Sequence, residues 1–424
     1  MRICFIADAR SQIARNWISW FVQRGHEICV ISTYPASSDS IPGSRFHVVP
    51  LLVNRFARFR HNGIVGNDRT ASRSSRLLAE LRSGKLAGVS NLMRYWAAPR
   101  ELRLHVGQIR PVLDDFRPDI VHAMRIPFEG MLAATTVEHY PLLISIWGND
   151  LTLHANDFRM VARLTRQALT RADALHCDCR RDSRLAIEQW GFDASKPLAI
   201  LPGGGGVQTN LFSHVPANQN LRQELDIPAD VPVVVNPRGF RAYVRNDTFF
   251  KAIPKVLQVR PNVIFVAVGM KDSPIAERWL QRFGVRASVR LLGEQSRQQM
   301  AELFKIACIS LSITEHDGLP NTLLEGLACG AFPVAGDIES IHEWIEHDVN
   351  GLLAPPGDPD AVAAAILRGI DDGELRRFAA VKNRRMIEAR ADHAKVMPLA
   401  ESFYSQVIGS RKTSQPAPSM VAHS

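Results

Sequence analysis

Short apolar runs alternate along the chain with longer segments in which apolar residues recur every three or four positions. The first two runs cover residues 2–7 and 26–32, and the amphipathic segment between them, 11–24, is stopped by Gly25. Apolar runs without polar alternation are typical of parallel strands that are buried on both faces. The beginning of the chain therefore predicts a β-α-β unit.

The same alternation continues through two consecutive series. The first series predicts further strands at 46–52, 119–123, 142–146, 174–178 and 198–201, and helices at 73–82, 99–116, 127–138, 157–170 and 180–190. The second series predicts strands at 231–236, 263–268, 289–292, 309–313 and 351–353, and helices at 247–259, 274–283, 295–305, 321–329, 340–346, 358–370, 373–389 and 393–408. Two such series predict an α/β protein of two doubly wound domains, with a binding site in the crevice between them.

The junction between the two series lies at about 202–230, where four glycines at 203–206, Pro216 and Pro228 interrupt the pattern. The chain has 424 residues, which is long enough for two domains, because single domains mostly have about 100–200 residues. We place the domains at 1–205 and 206–392. The Ser/Pro-rich tail, 409–424, is predicted to be disordered.

The six cysteines are scattered, and most of them lie in apolar runs. Cys177 and Cys179 are too close together for the usual two-cysteine half of a zinc site, and no histidine cluster completes a ligand set. The first apolar run has only five residues before Asp8, so it indicates a strand rather than a secretory signal. No run approaches the ~18 apolar residues of a membrane span. We expect a cytoplasmic protein with reduced cysteines.

The positive charge of the chain is concentrated in one segment. The net charge is +9, whereas residues 41–110 alone contain 13 lysines and arginines against three acids, a net of +10. Aromatic and aliphatic residues are interleaved with these cations, which favours contact with an anionic bilayer on the inner face of the cell membrane. A solvated basic face is the alternative. Nucleic acid is not expected as a partner, because no motif of a nucleic-acid reader is present.

The segment 312–336 contains the strongest candidate chemistry. It predicts a strand, a glycine loop with acidic residues, a helix that starts at Asn321, and Gly330 as a left-handed helix stop. A strand, a glycine loop and a helix N-terminus together form a site for an anion. Asp317 in the loop and Glu325 on the helix accept hydrogen bonds, as sugar hydroxyls require. The segment therefore predicts either a sugar-nucleotide site or an ordinary βα unit with a solvated acidic loop.

The same segment resembles a known family. DGLPNTLLEGLACGAFPVA, at 317–335, is similar to the E-x7-E segment of the family-four retaining glycosyltransferases, with Asp317 in place of the first Glu. The resemblance implies that Glu325 holds the ribose of a nucleotide-sugar donor and that Asp317 holds the transferred sugar. It also places Gly318, Leu319, Asn321 and Thr322 at the donor.

Two further segments of the second series resemble the same family. VVVNPRGF, at 233–240, ends in arginines beside a helix start, an arrangement that suits a diphosphate. The resemblance implies that Arg238 and Arg245 neutralise the departing diphosphate, although arginines that cap a strand at the surface would look the same. LLGE, at 291–294, resembles a turn that lies against the donor base, which implies a contact through Gly293.

The loop SIWGND, at 145–150, departs from the pattern of the well-studied members, which have a histidine where Trp147 stands. Trp147 cannot transfer a proton. A subset of the family retains the acid, so Asp150 could orient or deprotonate the acceptor hydroxyl. Alternatively, Asp150 only forms a turn.

The resemblance implies the GT-B fold, in which two Rossmann-like domains face each other across a cleft and a last helix, here about 393–408, returns to the first domain. It implies a retaining transfer from a nucleoside diphosphate sugar, UDP rather than GDP, to a glycan or lipid-linked acceptor. No Asp-x-Asp metal signature serves the proposed site, which favours a metal-independent reaction, and the basic segment suggests an acceptor of the cell envelope. No cofactor is expected. The alternatives are a catalytically silent sugar-nucleotide-binding subunit, a phosphorylase and a nucleotide-sugar epimerase.

Overall fold

The structure, a computed structural model, describes residues 1–51, 86–215 and 220–414. The helix predicted at 73–82, residues 415–424 of the predicted tail and residues 52–85 of the basic segment lie outside the described residues. The described residues form two parallel sheets with helices on both faces, one sheet for each series of the sequence. The predicted fold class, two doubly wound α/β units, is confirmed.

Within the described residues, the first sheet has seven strands: β1 (Arg2–Ala7), β2 (Glu27–Ser32), β3 (Arg45–Val48), β4 (Ile120–Ala123), β5 (Leu142–Ile146), β6 (Ala174–Cys177) and β7 (Leu198–Ile200). They pair in the order β3-β2-β1-β4-β5-β6-β7. Strand β1 lies inside this sheet, because Ile3 pairs with Ile28 of β2 on one side and with Ile120 of β4 on the other. The strand order reverses at β1, so a crevice opens at the carboxyl ends of β1 and β4.

The helices of the first sheet cover both of its faces. They are α1 (Gln12–Gln23), α2 (Leu86–Phe116), α3 (Met131–Thr136), α4 (Arg159–Arg171) and α5 (Arg180–Glu188). Short helical turns occupy Ser38–Ser40, Ile126–Gly130, Asp150–His154 and Ala155–Asp157. The last three of these turns, with the loops around them, build the rim of the crevice beside β4 and β5.

In the described part of the chain, the second sheet has six strands: β8 (Val233–Asn236), β9 (Ile264–Ala267), β10 (Val289–Leu291), β11 (Ile309–Ser312), β12 (Phe332–Gly336) and β13 (Leu352–Ala354). Their order is β10-β9-β8-β11-β12-β13, so this order reverses at β8. Every residue of β8 and β11 is buried. The chain segments that follow β8 and β11 therefore meet at the crevice of the second sheet.

The helices of the second unit are α6 (Asn220–Glu224), α7 (Asn246–Val259), α8 (Pro274–Phe283), α9 (Arg297–Ile306), α10 (Asn321–Cys329), α11 (Pro359–Asp371), α12 (Gly373–Arg390) and α13 (His393–Ser414). Short 3₁₀ turns occupy Arg286–Ser288 and Ile341–Glu343. Helix α10 ends at Gly330, whose φ of 83° confirms the predicted left-handed stop.

The last helix, α13, lies against the first sheet. Tyr404 is fully buried there, and its hydroxyl accepts a hydrogen bond of 3.0 Å from Nε1 of Trp17. Val407 is buried in the same cluster. The chain crosses between the two sheets at two places that lie side by side, because Val207 N–H donates to the carbonyl of Ala391 over 2.7 Å. The two crossings form one joint between the domains.

Several predicted boundaries were wrong. Helix α2 begins at Leu86 rather than at 99, because a proline removes one hydrogen bond without forbidding a helix on both sides of it. The helix predicted at 340–346 is only the 3₁₀ turn Ile341–Glu343. The predicted tail begins six residues too early, because α13 continues to Ser414 and Arg411 donates to Asp173 over 2.9 Å.

Among the described residues, we find no helix that combines the length and the apolar character needed to cross a membrane.

Candidate functional site

The crevice of the second sheet brings together Arg238, which follows β8, and Asp317, which lies in the loop after β11. Nη1 of Arg238 forms an ion pair with the Asp317 carboxylate, and Nη2 donates to the Tyr243 hydroxyl over 3.1 Å. The two charged side chains are each only 13% exposed. Two of the predicted site residues, 79 positions apart in the sequence, are therefore direct partners.

Glu325 lies on the second turn of α10 and is 15% exposed. Burial raises the pKa of its carboxyl to about 7, and Arg297, whose Nη2 lies 3.8 Å from Oε1, opposes this change. A buried carboxyl whose cationic partner lies beyond hydrogen-bond distance pays a desolvation penalty when it ionises. Hydroxyl groups of a ligand would donate hydrogen bonds to this carboxylate.

The N-terminus of α10 has no side-chain cap, because its N-cap residue is Pro320. Its first residues, Asn321 and Thr322, therefore offer backbone N–H groups at the positive end of a nine-residue helix. The Thr322 hydroxyl is buried and has no hydrogen-bond partner among the described residues. The side chain of Asn321 packs against Gly204, where an added Cβ would lie 2.7 Å from Nδ2. The glycine loop 203–206 thus touches the predicted donor helix.

Gly318 and Leu319 face the first domain in this arrangement. Leu319 N–H donates to Oδ2 of Asp178 over 3.3 Å. A Cβ placed on Gly318 would overlap the same carboxylate. The Leu319 N–H is therefore occupied, and the contact with a donor that the sequence predicts for this residue requires a different arrangement of the loop.

Arg245 is separate from the pair of Arg238 and Asp317. Its Nε and Nη2 donate to Asp247 over 2.8 and 2.9 Å, and its Nη1 forms an ion pair with Glu315. These contacts lower the pKa of Asp247, with Arg245 as the largest cause. Two carboxylates already neutralise this guanidinium. The role of Arg245 at a diphosphate stays a prediction.

Gly293 follows β10 at the edge of the second crevice. Its carbonyl accepts hydrogen bonds from Gly269 N–H and from Nε2 of Gln295, each over 3.2 Å. An added Cβ at Gly293 would meet no atom within 4 Å. The turn therefore has open space beside it, as a planar base would need, and the predicted contact with a donor base stays a prediction.

Asp150 is fully buried at the start of a helical turn. Its carboxylate accepts from Nε of Arg125 over 2.9 Å, from Trp147 N–H over 3.2 Å and from Ile126 N–H over 3.3 Å. Burial raises its pKa, although Arg125 opposes the change. These contacts are those of a turn-forming residue that fixes Arg125. They leave no exposed oxygen for an acceptor, so the direct catalytic role predicted for Asp150 has no support from the geometry.

The crevice of the first sheet contains a carboxyl group that the sequence analysis missed. Glu129 is 3% exposed and accepts a hydrogen bond of 2.6 Å from the Thr33 hydroxyl through Oε1, whereas Oε2 has no partner among the described residues. Burial raises its pKa to about 7. Its signal in the sequence is an acid in the mostly apolar segment 124–133, which follows β4 at the crevice of the first sheet.

Two family models match the chain in succession. Residues 11–204 match the glycosyl transferase 4-like domain, and residues 217–386 match the glycosyl transferases group 1. Together the matches include Arg238, Asp317 and Glu325 as well as the first crevice.

Curated proteins with similar sequences include two enzymes. N-acetyl-alpha-D-glucosaminyl L-malate synthase of Bacillus anthracis is 24% identical over 189 residues, which are 44% of this chain and 49% of that protein. D-inositol 3-phosphate glycosyltransferase of Xylanimonas cellulosilytica is 26% identical over 227 residues, which are 50% of this chain and 52% of that protein. The chain thus spans about half the length of the curated relatives it matches.

Solved structures resemble the whole chain. Sucrose-phosphate synthase from Thermosynechococcus elongatus has a TM-score of 0.70 at 14% identity and covers 97% of this chain and 100% of its own. HepE of Anabaena, in complex with UDP and glucose, has a TM-score of 0.70 at 16% identity and covers 96% of this chain and 100% of its own. At these identities the likeness shows the fold.

Proposed function

Because the chain belongs to the group 1 glycosyltransferases of the family-four type and has the GT-B fold, we propose that it moves a sugar from a nucleoside diphosphate sugar to a glycan or lipid-linked acceptor, with retention at the anomeric carbon. The observation that carries this proposal is the direct pairing of Arg238 with Asp317 at the crevice, beside the uncapped N-terminus of α10.

Each group of the second crevice has a role in this proposal. Glu325 accepts hydrogen bonds from the ribose hydroxyls, and Asp317 accepts one from the transferred sugar. Arg238 exchanges Asp317 for the diphosphate when the donor binds, and the N–H groups of Asn321 and Thr322 complete the anion site. Before a donor binds, the ion pair between Arg238 and Asp317 neutralises both charges.

The transfer breaks the bond between the anomeric carbon and the β-phosphate oxygen, and the bonding electrons stay on the phosphate. The acceptor hydroxyl forms its bond on the same face of the sugar, and its proton goes to the departing phosphate oxygen. Negative charge grows on the diphosphate during this step, so fixed positive groups stabilise the transition state more than the bound donor. We assign this task to Arg238 and to the N-terminus of α10, with Arg245 as a second cation.

The donor is proposed to be a UDP-sugar. HepE of Anabaena, which has the same fold, is described in complex with UDP and glucose, and this observation supports the choice of base. The acceptor is proposed to enter the first crevice. There Oε2 of Glu129 is buried and has no hydrogen-bond partner among the described residues, and Arg125, fixed by Asp150, provides a cation.

The basic segment 41–110 is the only support for two further proposals, an acceptor of the cell envelope and a position on the inner face of the membrane. Sedimentation with vesicles tests them. Binding to vesicles that contain phosphatidylserine, but not to neutral vesicles, is the expected result. Equal sedimentation with both would contradict it.

A second candidate is a silent subunit that binds a sugar nucleotide without turnover. Trp147 at the position of a histidine and the buried, fully bonded Asp150 favour it, because neither can accept a proton from an acceptor. A retaining transfer in which the departing phosphate takes the proton does not need such a base, and for this reason we prefer the transferase.

One experiment separates these candidates. A panel of nucleoside diphosphate sugars is screened by thermal shift, and each stabilising donor is tested for release of free nucleoside diphosphate in water and with membrane extract. Release is expected for the wild-type chain and should fall by orders of magnitude, roughly 10²–10³-fold, in Arg238→Ala. Stabilisation without release favours the silent subunit, and no stabilisation by any donor contradicts both candidates.

A further inference from the structure

The start of helix α5, in the first domain, reaches across the crevice and holds the acidic loop of the second domain. Nη1 of Arg181 donates to the backbone carbonyl of Asp317 over 2.7 Å. Nη2 of the same side chain donates to the carbonyl of Gly148, in the first domain, over 2.5 Å. One guanidinium thus connects a loop of each domain, and it is 7% exposed.

Two further contacts fix the same loop. The Ser340 hydroxyl donates to the Asp317 carbonyl over 2.6 Å, so this carbonyl accepts from both domains. The carboxylate of Asp178 accepts from Leu319 N–H over 3.3 Å and from Gly148 N–H over 3.5 Å. The backbone on both sides of the Asp317 side chain is therefore held by groups outside its own loop.

The two loops also meet backbone to backbone. A Cβ placed on Gly148 would overlap the backbone nitrogen and Cα of Gly318. Only a residue without a side chain permits this approach, and the hydrogen bonds of Arg181 depend on it. The contact consequently exists only while the two domains are close together.

The charges around Arg181 explain why an arginine is needed. Its Nε and Nη2 donate to Oδ1 of Asp182 over 3.0 and 2.7 Å. Asp178, Cys179 and Asp182 have their ligand atoms within 4.8 Å of one another, all buried. A planar fork with five donors can serve Asp182 and two backbone carbonyls at once, whereas an ammonium group has only three donors at a single point.

We propose that Arg181, assisted by Asp178, is a positioning residue that sets the Asp317 carboxylate for the donor sugar when the domains close. This inference rests on the proposed function, because it assumes that Asp317 holds the transferred sugar. With Arg181 in this role, recognition of the sugar depends on domain closure, whereas recognition of the nucleotide through Glu325 does not. The nucleotide therefore binds the second domain, and the sugar is gripped when the first domain arrives.

The test uses conservative variants of the full chain. Arg181→Lys keeps the charge beside Asp182 and loses the fork, and Ser340→Ala removes the other donor to the Asp317 carbonyl without touching the buried acids. Arg184→Lys is the matched control. Arg184 also lies on α5 and also crosses to the second domain, where it pairs with Glu339 over 2.9 Å, but it does not contact the acidic loop.

Amide hydrogen exchange of a peptide that covers 314–324 measures the loop directly and needs no ligand. The peptide should exchange faster in Arg181→Lys and in Ser340→Ala, and at the wild-type rate in Arg184→Lys. Unchanged exchange in the first two variants would overturn the inference, because the loop would then be held by its own domain alone.

Calorimetry measures how the position of the loop affects the affinity for a donor. The ligands are UDP, UDP-glucose, UDP-N-acetylglucosamine, GDP-mannose and ADP-glucose. For the sugar nucleotide that the wild-type chain binds, Arg181→Lys should weaken affinity about tenfold, while the affinity for the corresponding free nucleotide changes less than about twofold. Equal losses for both ligands, or none, would overturn the inference and leave the proposed function intact. A wild-type chain that binds none of the five would contradict the proposed function, and the inference would fall with it.

Discussion

Glu325→Gln is expected to stabilise the protein and to weaken its binding of the donor. The wild-type carboxyl is buried in α10, and burial raises its pKa to about 7. An ordinary glutamate, such as this residue in the unfolded chain, has a pKa of 4.5. Glutamine has nearly the same shape and carries no charge, so the variant removes the cost of burying a carboxylate and keeps the packing.

The magnitude follows from the two pKa values. The folded chain holds the proton up to about pH 7, whereas the unfolded chain loses it above about pH 4.5, so the free energy of unfolding of the wild type falls as the pH rises through this window. At 1.36 kcal/mol per pKa unit, the full difference is about 3 kcal/mol. The advantage of the variant should therefore grow from below ~1 kcal/mol at pH 5 to about 3 kcal/mol at pH 8.

Urea unfolding of both chains at pH 5 and pH 8 measures this difference, with the exposed Glu294→Gln as the control that should show no such growth. Calorimetry with the donor at pH 8 should show weaker binding by Glu325→Gln, because the hydrogen bonds of ribose hydroxyls to a charged acceptor are lost. A variant that is less stable than the wild type at pH 8, or equally more stable at both pH values, would refute the reasoning.

Three further predictions concern other contacts. Gly148→Ala should prevent domain closure and increase the radius of gyration in X-ray scattering, because its Cβ would overlap Gly318; a wild-type radius would contradict this. Glu129→Gln should leave donor affinity unchanged and lower transfer to envelope extract by roughly tenfold, as expected for a weakened hydrogen bond to the acceptor, and unaltered transfer would exclude it from the acceptor site. Tyr404→Phe should lower the free energy of unfolding by about 1–3 kcal/mol without changing donor affinity, because Trp17 and His122 lose a buried partner; denaturant titration measures it.

The fold could be predicted because its strands are buried on both faces. Such strands need continuous apolar runs, and the run at 309–313 coincides with β11 (Ile309–Ser312) to within one residue. The pairing of Arg238 with Asp317 could also be anticipated, since residues that follow neighbouring parallel strands meet at one edge of a sheet. For these strands and for this ion pair, the sequence pattern and the sheet topology predict the same arrangement.

Contacts between the domains could not be predicted in this way. Arg181 reaches a carbonyl 136 residues away, and nothing in the local pattern distinguishes it from Arg180 beside it. Glu129 lies within the helix predicted at 127–138, and only its burial in the crevice of the first sheet identifies it. Local periodicity reports which face of an element is buried, but it does not report which distant loop buries it.

The sequence predicts the same role for Arg238 and Arg245, but the two arginines differ in the carboxylates that a diphosphate would have to displace. Arg238 has one carboxylate partner, Asp317, which the bound sugar can take over, so the exchange leaves no buried charge unpaired. Arg245 has two, Asp247 and Glu315, and no donor group is assigned to either of them. Drawing Arg245 to the diphosphate would take this cation from both carboxylates, of which Asp247 would keep Lys251 as a partner. The positive charge at the departing phosphate should therefore come from Arg238 and the N-terminus of α10, with Arg245 contributing from a distance.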